Sequence, residues 1–442
     1  ISGEVFRTPS GIAVTARVGS NPGTTFTGKD VDLDLLMQKT AEAVYRDTQP
    51  YRYAVYLNNV GRIAESEQAY QRLIATGAPV DRAWALIGLE NIYANRMEFN
   101  RAIATLDRAS KLKPNFFMAY TNRAGIEGQF QHEEPSLAAQ RKAAAIAHGP
   151  RDPDMSDIAW KLAGLQTDSA LAASLGDFRA QLEFDRRIAM LSNFNGAGDN
   201  ARLNNITTYA FLHDAAASEA AFEALPAATT PLQTLQRDGT HAFARVLLGK
   251  PDLIIEKGKM FNDALAKLGG QGPVIMRRQF WPIAAYALAM KGDFKGAHAL
   301  VDQTPVDCDQ CLRARGGIDT LEKNWGGADY WYARAARDAP SPPFAWSDWG
   351  RMLVAKGDAD AAIAKLEIAH AKEPRYADPL VWWGEALMLK HRPDLAIPKF
   401  EEANAIAPRW PLLHRKWGEA LTFLGRKDEA AKQFALAKEN SQ

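Results

Sequence analysis

The only two cysteines of the chain occur together as Cys308-Asp309-Gln310-Cys311. They directly precede a predicted helix, where unpaired backbone N–H groups and the helix dipole lower the pKa of a thiol. A thioredoxin-like site needs a βαβ context and a zinc site needs two more ligands, and the sequence supplies neither nearby. We therefore predict a local disulfide between Cys308 and Cys311, which would favour an oxidising compartment. Two reduced thiols, redox sensing and metal binding are the alternatives.

Other reactive side chains form no recognisable catalytic or metal-binding motif. His298, His370 and His414 fall singly within helical patterns, where packing or surface roles are the more frequent ones. The aspartates at 152–157 lack the glycine and distal glutamate of a calcium loop. The chain also lacks G-x-S-x-G, phosphate-loop, dinucleotide and H-E-x-x-H motifs. The sequence predicts no enzyme, no cofactor and no metal site.

Charge and hydropathy limit the classes of partner. The chain has 53 Lys and Arg against 52 Asp and Glu, so no strong field favours nucleic acid. Its longest apolar run, residues 280–290, is about half of what a bilayer requires. We therefore expect no nucleic-acid partner and no direct membrane insertion in this segment.

Small and bulky residues recur every 34 positions in the C-terminal part of the chain. The repeated positions are Gly316, Gly350, Gly384 and Gly418, then Ala328, Ala362, Ala396 and Ala430, then Tyr332, Leu366, Phe400 and Phe434, and finally Pro340, Pro374 and Pro408. A repeat of this length indicates pairs of antiparallel helices that stack into a solenoid. The small residues mark close helix approaches, and each proline ends a helix.

The stretch Trp346-x2-Trp349-Gly350-x2-Leu353, with Ala362, Leu366 and Pro374, resembles the tetratricopeptide repeat (TPR) family. The resemblance covers residues 312–437 strongly and earlier residues less well. It implies an all-α fold, a superhelical solenoid of helical hairpins that binds other proteins.

The rest of the chain is predicted to be helical except at its start. Residues 1–6 and 12–18 alternate as two strands around a turn, which predicts a short N-terminal β-hairpin. We expect four regions: the hairpin at 1–28, a helix and TPR-like repeats at 29–150, irregular helical repeats or a hinge at 151–272, and the C-terminal array at 273–442. The stretches at 193–198 and 226–231 are predicted loops.

The hairpin also resembles the end of small β-containing modules that precede TPR arrays in some bacterial membrane-tethered signalling proteins. The sequence opens on Ile1 rather than Met, so we expect that an upstream segment was removed or never included. That resemblance implies a periplasmic location for the repeats, with the cytoplasm as the alternative.

A partner is expected on the concave surface that the first helix of each repeat contributes. Positions around the ladder glycines predict a groove with both signs of charge and two aromatic rings, suited to a protein or peptide. Its residues are Arg313, Phe344, Ser347, Asp348, Arg351, Val381, Trp382, Glu385, Arg415, Lys416 and Glu419. The Lys/Asn pair with which some TPR proteins hold a chaperone carboxylate is missing from the matching positions.

Three functions are compatible with these patterns. The first is a non-enzymatic scaffold that binds a partner in the groove, with Trp382 as an exposed anchor. The second is the sensory or regulatory part of a larger membrane-tethered signalling protein. The third is an enzyme with a pocket in the irregular middle. The sequence leaves the partner's identity and the oligomeric state open.

Overall fold

The computed structural model describes residues 1–20, 22–191 and 197–441 and divides into two compact units, residues 1–122 and 123–442. Most of the loop predicted at 193–198 lies outside the described residues, while 197 and 198 begin a helix. Most described residues are helical, as the repeats predict.

The first unit begins with a small antiparallel sheet of β1 (Ser2–Thr8), β2 (Gly11–Arg17) and β3 (Thr24–Gly28). The predicted hairpin is β1 and β2, with Val5 opposite Val14. The third strand was not predicted, and it pairs with β2 so that Val14 also faces Phe26. Helix α1 (Leu33–Thr48) packs on β2 and β3, which explains how so small a sheet is stabilised.

Helical hairpins fill the rest of the first unit. They are formed by α2 (Pro50–Asn59), α3 (Ile63–Thr76), α4 (Pro79–Asn95) and α5 (Phe99–Leu112). The next helix, α6 (Phe117–Gln129), contains the boundary between the units.

The second unit continues the hairpins in three groups. The first group is α7 (Glu133–Ala147), α8 (Asp157–Leu175), α9 (Phe178–Met190), α10 (Ala197–Phe211) and α11 (Ala215–Glu223). The second is α12 (Pro231–Leu247), α13 (Asp252–Glu256), α14 (Gly258–Ala266), α15 (Gln271–Ile275), a π-helical turn at Met276–Phe280, α16 (Trp281–Met290) and α17 (Phe294–Val301). The third is α18 (Asp309–Leu321), α19 (Trp325–Asp338), α20 (Phe344–Lys356), α21 (Ala359–Lys372), α22 (Ala377–Leu389), α23 (Pro393–Ile406), α24 (Pro411–Phe423) and α25 (Lys427–Glu439).

The ladder glycines let the two helices of a hairpin approach closely. A Cβ atom on Gly384 would lie 2.4 Å from the ring of Phe400, sixteen residues later. On Gly350 it would lie 2.5 Å from Leu366. Equivalent clashes, at 2.8 and 2.7 Å, would occur at Gly316 and Gly418. The 34-residue period therefore reflects one contact repeated in four successive hairpins.

The less regular hairpins have a different contact, between residues twelve positions apart. This is the spacing of the glycine and alanine positions, such as Gly316 and Ala328, in the regular repeats. There a serine hydroxyl donates a hydrogen bond across the hairpin to a carbonyl oxygen of the first helix. The distances are 2.8 Å from Ser66 to Ala54, 3.1 Å from Ser136 to Ala124 and 2.7 Å from Ser218 to Ile206. The Ser218 contact shows that residues 197–223 form a repeat although the glycine and proline ladders are missing there.

Short side chains begin many of the second helices. Asp177, Asp214 and Asp358 each accept a hydrogen bond from the N–H of the third helical residue, which satisfies an otherwise unpaired donor. Gly357 has φ of 88°, a conformation that glycine adopts without strain, and it ends α20 directly before the Asp358 cap. Such Gly-Asp pairs fix the tight turn within a repeat.

Candidate functional site

The predicted groove residues all lie on the first helices of the last four hairpins: α18, α20, α22 and α24. The structure brings the charged residues among them together in two groups, and each group contains both positive and negative side chains. Between the groups, Ser347 and Val381 are buried and contribute to packing.

The first group surrounds Asp348. Its carboxylate accepts a hydrogen bond from Arg313 Nε at 2.8 Å, and Arg351 Nη2 lies 3.5 Å from its other oxygen. The Arg313 guanidinium also lies over the ring of Phe344, 5.2 Å from its centre. Burial, helped by the carboxylates of Glu133 and Asp348, raises the pKa of Asp309 to about 7 against the opposing effect of Arg313.

The second group is an ion-pair network on α22 and α24. Lys416 Nζ lies 2.7 Å from Glu385 and 3.1 Å from Glu419. Burial raises the pKa of Glu385, and Lys416 opposes that shift. Arg415 and Glu419 are exposed, so this end of the groove remains open to solvent.

Trp382 is placed differently from the exposed anchor that the sequence suggested. Its side chain is half-buried and packs, with Trp383, against a core cluster that includes Met352, Leu353 and Leu366. Trp382 therefore contributes to the contact between successive repeats.

Much of the groove is covered by the chain itself. The turn between α8 and α9 places Phe178 against Tyr376 and Phe344, with ring centres 6.0 and 6.4 Å apart. Phe178 also stacks on Phe211 at 4.4 Å and is only 3% exposed. Arg179 Nε donates to the carbonyl oxygen of Ile406 at 2.5 Å. An aromatic side chain from an earlier repeat thus packs against the start of α20 and the residue that precedes α22.

The turn between α10 and α11 contacts the next part of the same face. His213 Nε2 lies 3.1 Å from Asp378 Oδ2, and its ring stacks on Trp410 with centres 3.6 Å apart. Leu212 is buried in the same cluster as Tyr376 and Trp410.

A third turn, between α6 and α7, contacts the start of α18 and the segment before it. The backbone N–H of Asp309 donates to Gln131 O at 2.9 Å, and Arg278 Nη1 donates to Phe130 O at 2.8 Å. Nearby, the Ser341 hydroxyl donates to Glu134 at 2.7 Å. Sequence reasoning missed all three turns because no local pattern signals pairing between residues more than a hundred positions apart.

The two cysteines lie beside this third turn. Cys308 caps α18, and its sulfur is bonded to that of Cys311 at 2.10 Å. Both side chains are fully buried, which differs from the exposed thiol of a redox enzyme.

The last four hairpins decide the type of repeat. Each has a first-helix glycine against a bulky side chain sixteen residues later, and successive glycines are 34 residues apart. These are TPR-like repeats. No protein-family model matches the chain, and no curated protein matches it significantly.

Solved structures with similar folds include MamA from AMB-1, which is 22% identical over 37% of this chain and 98% of MamA, with a TM-score of 0.28. MamA from MSR-1 is 21% identical over 38% of this chain and 97% of MamA, with a TM-score of 0.30. A structure of the APC/C hetero-tetramer Cut9-Hcn1 is 15% identical, covering 93% of this chain and 80% of that chain, with a TM-score of 0.45.

The TPR-like array also borders a cleft of about 320 Å³ in the region that the sequence left open to an enzyme pocket. Two carboxylates line it. Glu183 lies 3.3 Å from Arg186, and Asp214 lies 3.7 Å from Arg409.

Among the described helices, none is long and apolar enough to cross a membrane.

Proposed function

We propose that this chain is a non-enzymatic TPR-like scaffold that binds a protein partner at the open end of its C-terminal groove. The observation that carries the proposal is the docking of Phe178 against the contacting rings of Phe344 and Tyr376. This intramolecular contact supports the view that the inner face accommodates an aromatic side chain from a short turn.

The open end of the groove offers the matching chemistry. Arg415 and Glu419 are exposed on α24, and Phe423 at the end of that helix is 62% exposed. An exposed aromatic ring beside opposite charges is a frequent composition of binding hot spots. The partner chemistry that fits is a polypeptide segment with apolar and charged side chains of both signs.

Site-specific crosslinking tests the proposal. A photoreactive amino acid placed at Arg415 should crosslink the partner in the source cell, whereas one at Lys432, exposed on the second helix α25, should not. With the captured protein purified, Arg415→Glu should weaken binding at least tenfold and Lys432→Glu should leave it unchanged. Equal crosslinking and equal affinity for the two positions would contradict a groove site.

We further propose an oxidising compartment for the chain, supported by the buried Cys308–Cys311 disulfide. Alkylation of protein taken directly from its source cell, before any reduction, tests the compartment. Two modified cysteines in protein unfolded without reductant would count against an exported location.

A further inference from the structure

Three potential metal ligands meet between two successive repeats of the second unit. His298 lies on α17, Asp319 on α18 and Glu322 directly after α18. One donor atom of each lies within 4.8 Å of the donors of the other two. The closest pair, His298 Nε2 and Glu322 Oε2, is 2.7 Å apart.

The charges in this cluster are incompletely balanced. Asp319 is only 5% exposed, and its carboxylate accepts a hydrogen bond from the neutral amide of Asn324 at 3.1 Å. Its donor oxygen lies within 4.8 Å of the donor atoms of His298 and Glu322. Two carboxylates thus share one imidazole, an arrangement that a divalent cation would neutralise.

The donor types favour a particular class of ion. One imidazole nitrogen with carboxylate oxygens suits zinc and related transition-metal ions, whereas magnesium and calcium prefer oxygen alone. Three protein ligands also leave a coordination position for water. We propose that His298, Asp319 and Glu322 bind a divalent transition-metal ion of the zinc class. His298 would then have a role that its sequence context, a single histidine in a helix, did not indicate.

Another histidine-carboxylate pair in the second unit provides a matched control. His241 Nε2 lies 2.8 Å from Glu219 Oε2, much as His298 lies from Glu322. There, however, Arg245 Nη1 donates to the other oxygen of Glu219 at 2.7 Å. The guanidinium already supplies the positive charge, so the His241 pair should not bind the ion.

The position of the site gives it a structural effect. Helix α17 ends one repeat and α18 begins the next, so the ion would join two repeats directly. Ion binding should therefore raise the thermal stability of the second unit.

Calorimetric titration of the whole, chelator-treated chain with zinc chloride tests the site. We expect one zinc ion per chain, at least tenfold weaker binding for His298→Gln and unchanged binding for His241→Gln. Glutamine can still hydrogen-bond Glu322, so His298→Gln should remain folded, which circular dichroism would check. Equal zinc affinity in the parent and His298→Gln would overturn the proposal, as would no stoichiometric binding by the parent.

Cobalt provides an independent readout. A Co²⁺ ion bound by one nitrogen and two oxygens should give a visible absorption spectrum distinct from that of aqueous Co²⁺. Asp319→Asn and His298→Gln should each remove that spectrum, and His241→Gln should retain it. An identical spectrum in all four proteins would place the bound ion elsewhere and overturn the assignment.

Discussion

The hydroxyl of Ser169 donates a hydrogen bond to Asp185 Oδ1 at 2.6 Å, across the helix pair α8 and α9. The two residues are sixteen positions apart, the spacing at which Gly350 contacts Leu366 in the regular repeats. Asp185 is 1% exposed, and its Oδ2 atom has no hydrogen-bond partner. A polar pair thus replaces the apolar contact of the regular repeats. Burial raises the pKa of Asp185 to about 6, and the hydrogen bond from Ser169 opposes that shift.

This carboxyl should make stability depend on pH. Between the ordinary pKa of 3.8 and about 6, the folded chain keeps a proton that the unfolded chain has lost. The free energy of unfolding should therefore fall as pH rises through that window and level off above it. Asp185→Leu should unfold a few degrees higher than the parent at pH 7.5 and lose that advantage near pH 4. Thermal unfolding monitored by circular dichroism measures both, and a constant difference across pH would exclude Asp185 as the source.

The ladder glycines should tolerate no side chain. Gly384→Ala would place a methyl group 2.4 Å from the Phe400 ring, so we expect a loss of about 1–3 kcal/mol in the free energy of unfolding. Gly326→Ala, on α19 where a Cβ would meet nothing within 4 Å, should instead gain about 0.4–1 kcal/mol. Urea unfolding of both variants makes the comparison. Equal effects of the two substitutions would mean that the close approach of Phe400 does not require glycine at position 384.

The docked turn between α8 and α9 should stabilise the second unit. Phe178→Ala removes a buried ring and should cost about 3–5 kcal/mol, while Phe423→Ala, at an exposed ring, should stay within about 0.5 kcal/mol. Hydrogen exchange should also accelerate around Phe344 and Tyr376 in the first variant only. Unchanged exchange there would mean that Phe178 does not hold the turn on the groove.

The disulfide should be inaccessible in the folded protein. Because Cys308 and Cys311 are bonded and fully buried, iodoacetamide should modify neither in the native, oxidised chain. After unfolding and reduction, mass spectrometry should find both modified. Modification of the unfolded chain without reductant would show two free thiols.

Local patterns were enough to predict the C-terminal repeats. Gly350, Leu366 and Pro374 act within one hairpin, so their spacing appears directly in the sequence. Between 149 and 272 the sequence predicted helices and irregular repeats but no ladder, because Ser169 with Asp185, and Ser218 with the Ile206 carbonyl, make equivalent contacts with different chemistry. The period was hidden there by polar substitutions and by connections of unequal length.

The candidate site was predictable only in part. The helix faces that carry Arg313, Asp348, Glu385 and Lys416 follow from the repeat. The segments that cover these faces cannot be predicted from the repeat, because no local pattern around Phe178 indicates its contact with Tyr376. The pattern also predicted that Trp382 is exposed, whereas in the structure its side chain is half-buried and packs between repeats.

The covered groove affects the order in which the chain can fold during its synthesis. A solenoid whose repeats contact only their neighbours can fold progressively from local contacts. Here Arg179 contacts Ile406 across a sequence separation of 227 residues. At synthesis rates of about 5–20 residues per second, roughly ten to forty seconds separate the appearance of these two residues. During that interval the surface of α8 and α9 that the later repeats will cover faces solvent, so this part of the groove can close only after Ile406 has been synthesised.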